Sequence, residues 1–160
     1  MSILKVDTIN EKTSGNGVAI PGHVVQVQRG QIGGNITTSS SSPVATGLEC
    51  AITPKFATSL LKIELFGGRN YFDNSQLDIY LYKGGSKVNT VGDGRWISQY
   101  GNDPVHYGGY SACHFETAGS TSARTYQVYY DAGSSAVWFN NSPSGNNEYL
   151  VHLVVTEIAQ

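Results

Sequence analysis

The stretch QLDIYLYKGGSKVNTV, residues 76–91, decides the fold class of this chain. Its first half places an apolar residue at every second position, which is typical of a strand with one buried face. Gly84 and Gly85 follow, and two consecutive glycines supply the positive φ angles of a tight hairpin turn. We therefore expect two antiparallel strands joined by a turn between Lys83 and Ser86.

The same alternation continues along most of the chain. It covers residues 25–28, 61–65 and 125–130, and turn residues such as those at 131–134 separate the patterns. Spacings of this kind predict about eight to ten strands between Val24 and Ile158. The expected fold is all-β: a jelly-roll-like antiparallel β-sandwich head, preceded by an extended N-terminal segment.

The last run, residues 148–158, is apolar on both of its faces. Tyr149, Val151, Leu153 and Val155 would share one face, and Leu150, Val154 and Ile158 the other. A strand with two apolar faces is central in its sheet or lies against a neighbouring subunit. Because such a strand favours self-association, we expect a homotrimer.

Composition excludes several classes of protein. The chain has 160 residues, 14% of them charged, and a net charge of −2, so it lacks the basic surface of a nucleic-acid-binding protein. No apolar run is long enough to span a membrane, and the first residues lack a signal peptide, which predicts assembly in a cytoplasm. We interpret Cys50 and Cys113 as buried free thiols, with a disulfide as the alternative.

The first 22 residues contain too little apolar material to fold alone, yet they are patterned. Isolated apolar residues stand among turn formers, and such a segment is stable only against a partner. We therefore divide the chain into an extended attachment segment, residues 1–22, and a β-sandwich head, residues 23–160.

Three pieces of this segment carry a resemblance to a known family: KVDTI at 5–9, TSGNGV at 13–18 and IPGHV at 20–24. In this order they resemble the start of small virion appendage proteins, tail fibres or fibre heads, of tailed bacteriophages of the marine and cyanobacterial type. Residues 51–55, 81–85, 120–130 and 155–160 resemble the heads of those proteins, whereas residues 100–111 depart from them.

The resemblance implies a trimeric, jelly-roll-like head, similar in outline to complement-type globular heads. It also implies a protein of the virion, assembled in the host bacterial cytoplasm and bound to other tail or capsid proteins through its first segment. The residues expected to make that attachment are Lys5, Val6, Asp7, Ile9, Val18 and Ile20.

No catalytic, dinucleotide or phosphate-binding motif is present, and the four histidines lack the spacing of a metal site. We therefore expect no enzyme activity, no cofactor and no metal within one chain, although one histidine per subunit at a three-fold axis stays an alternative. His152, in the last strand, is expected to pack or to lie in an interface.

Residues 95–110 are the candidate binding region. Aromatic rings stack on the C–H face of a sugar, while neighbouring amide and carboxylate groups pair with its hydroxyls. The alternative is that Trp96 and two of the tyrosines pack inside the sandwich or in a subunit interface. The candidate residues for a host glycan or receptor are Trp96, Tyr100, Asn102, His106, Tyr107 and Tyr110.

Together these observations favour a structural virion protein of a tailed bacteriophage, a homotrimeric appendage whose head binds the host cell surface. A capsid decoration or head-fibre protein is the alternative. A polysaccharide-degrading enzyme is disfavoured, because 160 residues leave little room for a deep cleft beside an attachment segment. A free lectin would leave the first segment unexplained.

Overall fold

A computed structural model describes residues 8, 10, 20–72, 74–88, 93–101, 106–141 and 149–160. These residues form eleven strands and no helix, in place of the eight to ten strands expected. The strands are β1 Val24–Ile32, β2 Ile36–Thr38, β3 Val44–Ile52, β4 Leu60–Phe72, β5 Gln76–Lys83, β6 Ser86–Lys87, β7 Ile97–Tyr100, β8 His106–Thr117, β9 Arg124–Ala132, β10 Val137–Asn140 and β11 Val151–Ile158.

The strands form two antiparallel sheets that pack face to face. Sheet A runs β1-β11-β4-β8, and β10 and β2 extend it beside the end of β4. Sheet B runs β3-β9-β5-β6, and β7 also pairs with β5. The predicted all-β class and antiparallel sandwich are confirmed, and the jelly-roll-like arrangement stays a prediction.

The core lies between the inner faces of the two sheets, where the alternating apolar residues meet. Leu61, Ile63 and Leu65 of β4 and Leu77, Ile79 and Leu81 of β5 are fully buried. Burying one such side chain contributes about 1.5–3 kcal/mol relative to its exposure. The larger rings of Tyr126, Tyr130, Phe72 and Phe139 fill the space between them.

The predicted hairpin at residues 76–91 is confirmed as far as Lys87. Tyr82 pairs with Lys87 and Lys83 with Ser86. Gly84 and Gly85 have φ values of 55° and 82°, a left-handed conformation that residues with a β-carbon rarely adopt.

The turn residues at 131–134 separate two strands, as expected. These strands do not pair, because β9 belongs to sheet B and β10 to sheet A. The chain crosses between the sheets there. Cys50 is a buried free thiol as expected, but Cys113 is exposed, because its register on β8 places it beside Glu64 on the outer face of sheet A.

The last strand is central, as predicted, since β11 lies between β1 and β4. Val151, Leu153 and Val155 are buried on the inner face, whereas Val154 and Ile158 are only partly buried on the outer one. His152 also faces outward, with its ring 5.2 Å from that of Phe66.

The chain enters sheet A at one end of β1, which we call the lower end. The Gly22 N–H donates to the Ala159 carbonyl and the Ala159 N–H to that of His23, both at 2.8–2.9 Å. Residues 22 and 23 are therefore already joined to the head. Of the expected attachment residues, Ile20 lies near this end and is partly exposed, while Lys5, Val6, Asp7, Ile9 and Val18 lie outside the described residues.

Candidate functional site

The site begins with a bulge in β4 at Gly67 and Gly68. Their φ values are 88° and 70°, and the register of β4 against β8 shifts between Gly67 and Asn70. Before the bulge the odd-numbered residues of β4 face the core, and after it Asn70 and Phe72 are the buried residues. The bulge therefore turns Tyr71 to the outer face of sheet A, as bulges near binding sites commonly do.

Four segments then bring aromatic rings together around Arg69, at the upper end of sheet A. The Arg69 guanidinium lies 4.0 Å from the ring centre of Tyr107 and 5.5 Å from that of Tyr149. Tyr71 packs against Tyr107 at 5.3 Å and edge-on against Trp138 at 4.7 Å. These five residues, Arg69, Tyr71, Tyr107, Trp138 and Tyr149, are the Arg69 cluster.

The cluster is held in place by Asn140, which is fully buried. Its Oδ1 accepts the Arg69 backbone N–H at 3.0 Å, and its Nδ2 donates to the carbonyls of Tyr149 at 2.8 Å and Gly34 at 2.9 Å. The neighbouring Asn141 N–H donates to the Arg69 carbonyl at 2.7 Å. One side chain thus fixes the backbone of both Arg69 and Tyr149, so the site is formed before any ligand arrives.

The Arg69 side chain is a cation that has no carboxylate partner among the described residues. None of the ion pairs or side-chain hydrogen bonds among the described residues involves its guanidinium. Two tyrosine rings stabilise its charge, by about 0.5–1 kcal/mol each at a partly exposed site. Tyr107 is 50% exposed and Tyr149 37% exposed, so a ligand can reach both rings and the N–H donors of the guanidinium.

Of the residues predicted from the sequence, Tyr107 is the one that belongs to this cluster. Tyr100 is also exposed, but it pairs with Gln76 in sheet B. Asn102 lies outside the described residues, and of His106 only the backbone, paired with Phe72, is described.

Trp96 and Tyr110 pack inside the sandwich, which was the alternative to a binding surface. Trp96 is partly buried and packs against the core, and its backbone N–H donates to the Ile79 carbonyl at 2.7 Å. Tyr110 is buried, stacks on Phe139 and donates its hydroxyl hydrogen bond to the Phe139 carbonyl. The assignment of Tyr110 to a glycan-binding surface is wrong, because no ligand can reach its ring.

A second polar cluster lies on the outer face of sheet B. Asp78 and Asp131 are direct cross-strand neighbours and both are buried. Arg95 donates to Asp78 at 2.7 Å, and the Tyr80 hydroxyl donates to Asp131 at 2.9 Å. Burial, reinforced by Asp131, raises the pKa of Tyr80 to about 12. Both carboxylates already accept hydrogen bonds inside the protein, so we interpret this cluster as part of the structure of sheet B.

A cleft of about 510 Å³ lies at the lower end, where the chain enters the head. Lys55 and Arg124 line it together with glutamine, threonine and backbone groups. Arg124 is committed to the fold, because it donates to the carbonyls of Ala118 and Ser120. The exposed tyrosine rings that flank a cation, Tyr107 and Tyr149, lie at the upper end instead.

The chemistry available at the Arg69 cluster is therefore stacking on a planar or C–H face and donation of hydrogen bonds from a cation. No helix able to cross a membrane occurs in the described ranges, and no three His, Cys, Asp or Glu side chains there are grouped as metal ligands. Comparison of the chain with protein-family models and with curated proteins finds no match.

Proposed function

We propose that this chain is a structural virion protein of a tailed bacteriophage, a homotrimeric appendage whose head binds a glycan on the host cell surface without cleaving it. The observation that carries this proposal is the position of two features on one sheet. The N-terminal segment joins sheet A at its lower end, and the exposed Arg69 cluster lies at its upper end. An appendage needs this separation, because one end meets the particle and the other the host.

The outer face of sheet A supports assembly with further copies of the same chain. This face carries four of the large hydrophobic side chains that are most exposed: Val24 and Val27 next to the attachment end, Phe115 near it, and Phe66 toward the upper end. With the partly buried Leu60, Val154 and Ile158 between them, they form what we call the apolar face. Contiguous exposed apolar surface of this kind marks protein–protein contact.

The charges within the apolar face favour contact between identical copies. Lys62 and Glu64 lie among its apolar residues and pair with each other at 2.8 Å. Because the pair is neutral as a unit, it adds no like-charge repulsion between the copies. Arg29, opposite Val154 on β1, is a further charge at the edge of this face. Three copies around an axis would carry their Arg69 clusters at the same end of the assembly.

Location in the particle is the decisive test. Immunogold labelling of purified virions should place the protein at the tail, with its head pointing outward. Label on the capsid shell would favour the decoration protein instead, and absence from purified virions would refute both virion roles. Deletion of residues 1–19, which spares the bonded residues 22 and 23, should give a soluble head that no longer enters particles.

Binding without cleavage is tested on the recombinant full chain. It should retain host-surface oligosaccharides on a glycan array and should release no reducing ends from them after prolonged incubation. Release of reducing sugar in proportion to protein concentration would overturn the non-enzymatic part of the proposal.

A further inference from the structure

We infer that the Arg69 cluster recognises a sugar that carries a negative charge, a carboxylate or a phosphate, rather than a neutral glycan. This inference rests on the proposed glycan-binding function and names its ligand class. It depends on three observations: the state of the Arg69 guanidinium, the exposure of the rings beside it and the rigidity of its support.

The guanidinium is the first observation. Arg95 donates to Asp78, and Arg124 lies 3.8 Å from Glu116, so these arginines already have acidic partners. Arg69 instead lies between two tyrosine rings, and its N–H donors are not used by the described residues. A guanidinium presents a planar fork that matches a carboxylate or phosphate with two parallel hydrogen bonds.

The exposed rings are the second observation. Tyr107 and Tyr149 flank the guanidinium and are accessible. A sugar ring stacked on either tyrosine would place its substituents within reach of the Arg69 donors. The combination selects a saccharide ring and an anionic group on the same ligand, whereas a free anion would leave the tyrosine rings uncovered.

The support is the third observation. Asn140 fixes the backbone at Arg69 and Tyr149, and the Gly67–Gly68 bulge sets the direction of the chain before Arg69. Binding therefore does not require the site to become ordered, which preserves affinity. The whole chain has a net charge of −2, so it does not attract polyanions generally. Binding of an acidic glycan would therefore indicate a local positively charged site rather than the charge of the whole protein.

The experiment uses the full chain and ligand pairs that differ only in charge. Binding of tetragalacturonate is compared with binding of its methyl ester by calorimetry at low and moderate salt. Phosphorylated mannan is compared with the same mannan after phosphatase treatment, so that the carboxylate and phosphate sources are told apart. We expect at least one charged member to bind about tenfold or more tightly than its neutral partner.

Arg69→Gln should abolish that preference, and Arg69→Lys should restore part of it, because lysine keeps the charge but not the fork. Lys87→Gln is the matched control: Lys87 also lies over a tyrosine ring, 4.1 Å from the centre of Tyr80, but on sheet B. It should leave the preference within twofold of the wild-type value. Melting temperatures of all variants check that the fold is kept.

Four outcomes would overturn the inference. Equal binding of charged and neutral partners, or a preference that Arg69→Gln leaves unchanged, would do so while the proposed glycan-binding function stands. Equally tight binding of a single-stranded oligonucleotide would show that the site selects no sugar acid. Absence of binding to every glycan, neutral or acidic, would refute the receptor-binding function together with the inference.

Discussion

Replacing Asn140 with alanine tests whether one buried side chain holds the binding site together. The substitution removes three hydrogen bonds, one from the Arg69 N–H and two to the carbonyls of Gly34 and Tyr149. A buried hydrogen bond contributes about 1 kcal/mol net, and a buried group left without a partner costs about 1–3 kcal/mol. Because the freed groups lie near the surface, water can reach some of them. We therefore expect the free energy of unfolding to fall by about 3 kcal/mol.

That loss should be visible in thermal unfolding. For a chain of this size 1 kcal/mol shifts the melting temperature by about 2–4 °C, so Asn140→Ala should melt roughly 10 °C below the wild-type protein. Both proteins must be compared at one concentration, because assembly of copies shifts the transition by mass action. Asn141→Ala is the control, since Asn141 contributes its backbone N–H to the Arg69 carbonyl, which alanine retains.

The same variant should weaken ligand binding more than its stability loss explains. At a temperature where it is still folded, Arg69 and Tyr149 lose their common support, so part of the binding free energy is spent on ordering them. A melting temperature within about 3 °C of the wild type would contradict the reasoning. So would a fall that Asn141→Ala reproduces, because the clamp would then not depend on the Asn140 amide.

Three further predictions concern the fold and its assembly. Gly68→Ala should lower stability by more than 2 kcal/mol in urea unfolding, since its φ is 70° and a β-carbon would lie 2.6 Å from a valine methyl of β11. Burial acts to raise the pKa of Glu157, but hydrogen bonds from a glutamine amide and two backbone N–H groups outweigh it and hold the pKa below its ordinary value. Its stabilisation is therefore present above about pH 4.3 and lost as the pH falls through the lower folded pKa, so Glu157→Gln should reduce stability at pH 7 and flatten the decline between about pH 5 and 3. If the proposed trimer forms through the apolar face, Phe115→Glu should reduce the mass in light scattering to that of a monomer and speed the alkylation of Cys113, which lies in the same face. An unchanged mass would place the interface elsewhere.

Alternation along the chain was sufficient to predict the layers of the fold. Alternate residues face the core as the pattern requires, at positions 61, 63 and 65 of β4 and 77, 79 and 81 of β5. The Gly84–Gly85 turn follows from backbone sterics alone. The central position of β11 follows from its two apolar faces. These features are local or depend only on burial, so one sequence contains the information needed to predict them.

The site was harder to predict because it depends on register. Alternation continued through residues 66–72 would turn Tyr71 toward the core, and only the bulge reverses this. The adjacent glycines at 67 and 68 were the available signal, since glycine in a strand often marks a bulge. Tyr71, Tyr107 and Trp138 are far apart in sequence, and the pairing that joins them leaves no trace in any single segment.

The predicted binding region at residues 95–110 was wrong for Tyr110, and the reason is again the arrangement of the strands. It looks continuous in sequence, but β7 belongs to sheet B and β8 to sheet A. Its aromatic residues are therefore divided between two sheets, and alternation along β8 exposes Tyr107 while Tyr110, after two glycines, points into the core. Clustering in sequence predicted one surface patch, but among the predicted residues whose side chains the structure describes only Tyr107 lies in the Arg69 cluster.

The Arg69 cluster and the Phe115 side of the apolar face lie far apart on sheet A, so we expect the proposed binding and the proposed assembly to be independent there. Tyr107 and Phe115 lie on one strand, β8, at a distance of about 26 Å for a rise of roughly 3.3 Å per residue. Substitutions farther apart than about 10 Å without shared partners have additive effects. Arg69→Gln should therefore abolish the preference for a charged glycan but leave the proposed trimer intact. Phe115→Glu should give monomers that still bind the glycan. Their retention on a glycan surface should be weaker, because multivalency is lost. A double variant that departs from additivity would show that the Arg69 cluster is itself part of the subunit contact.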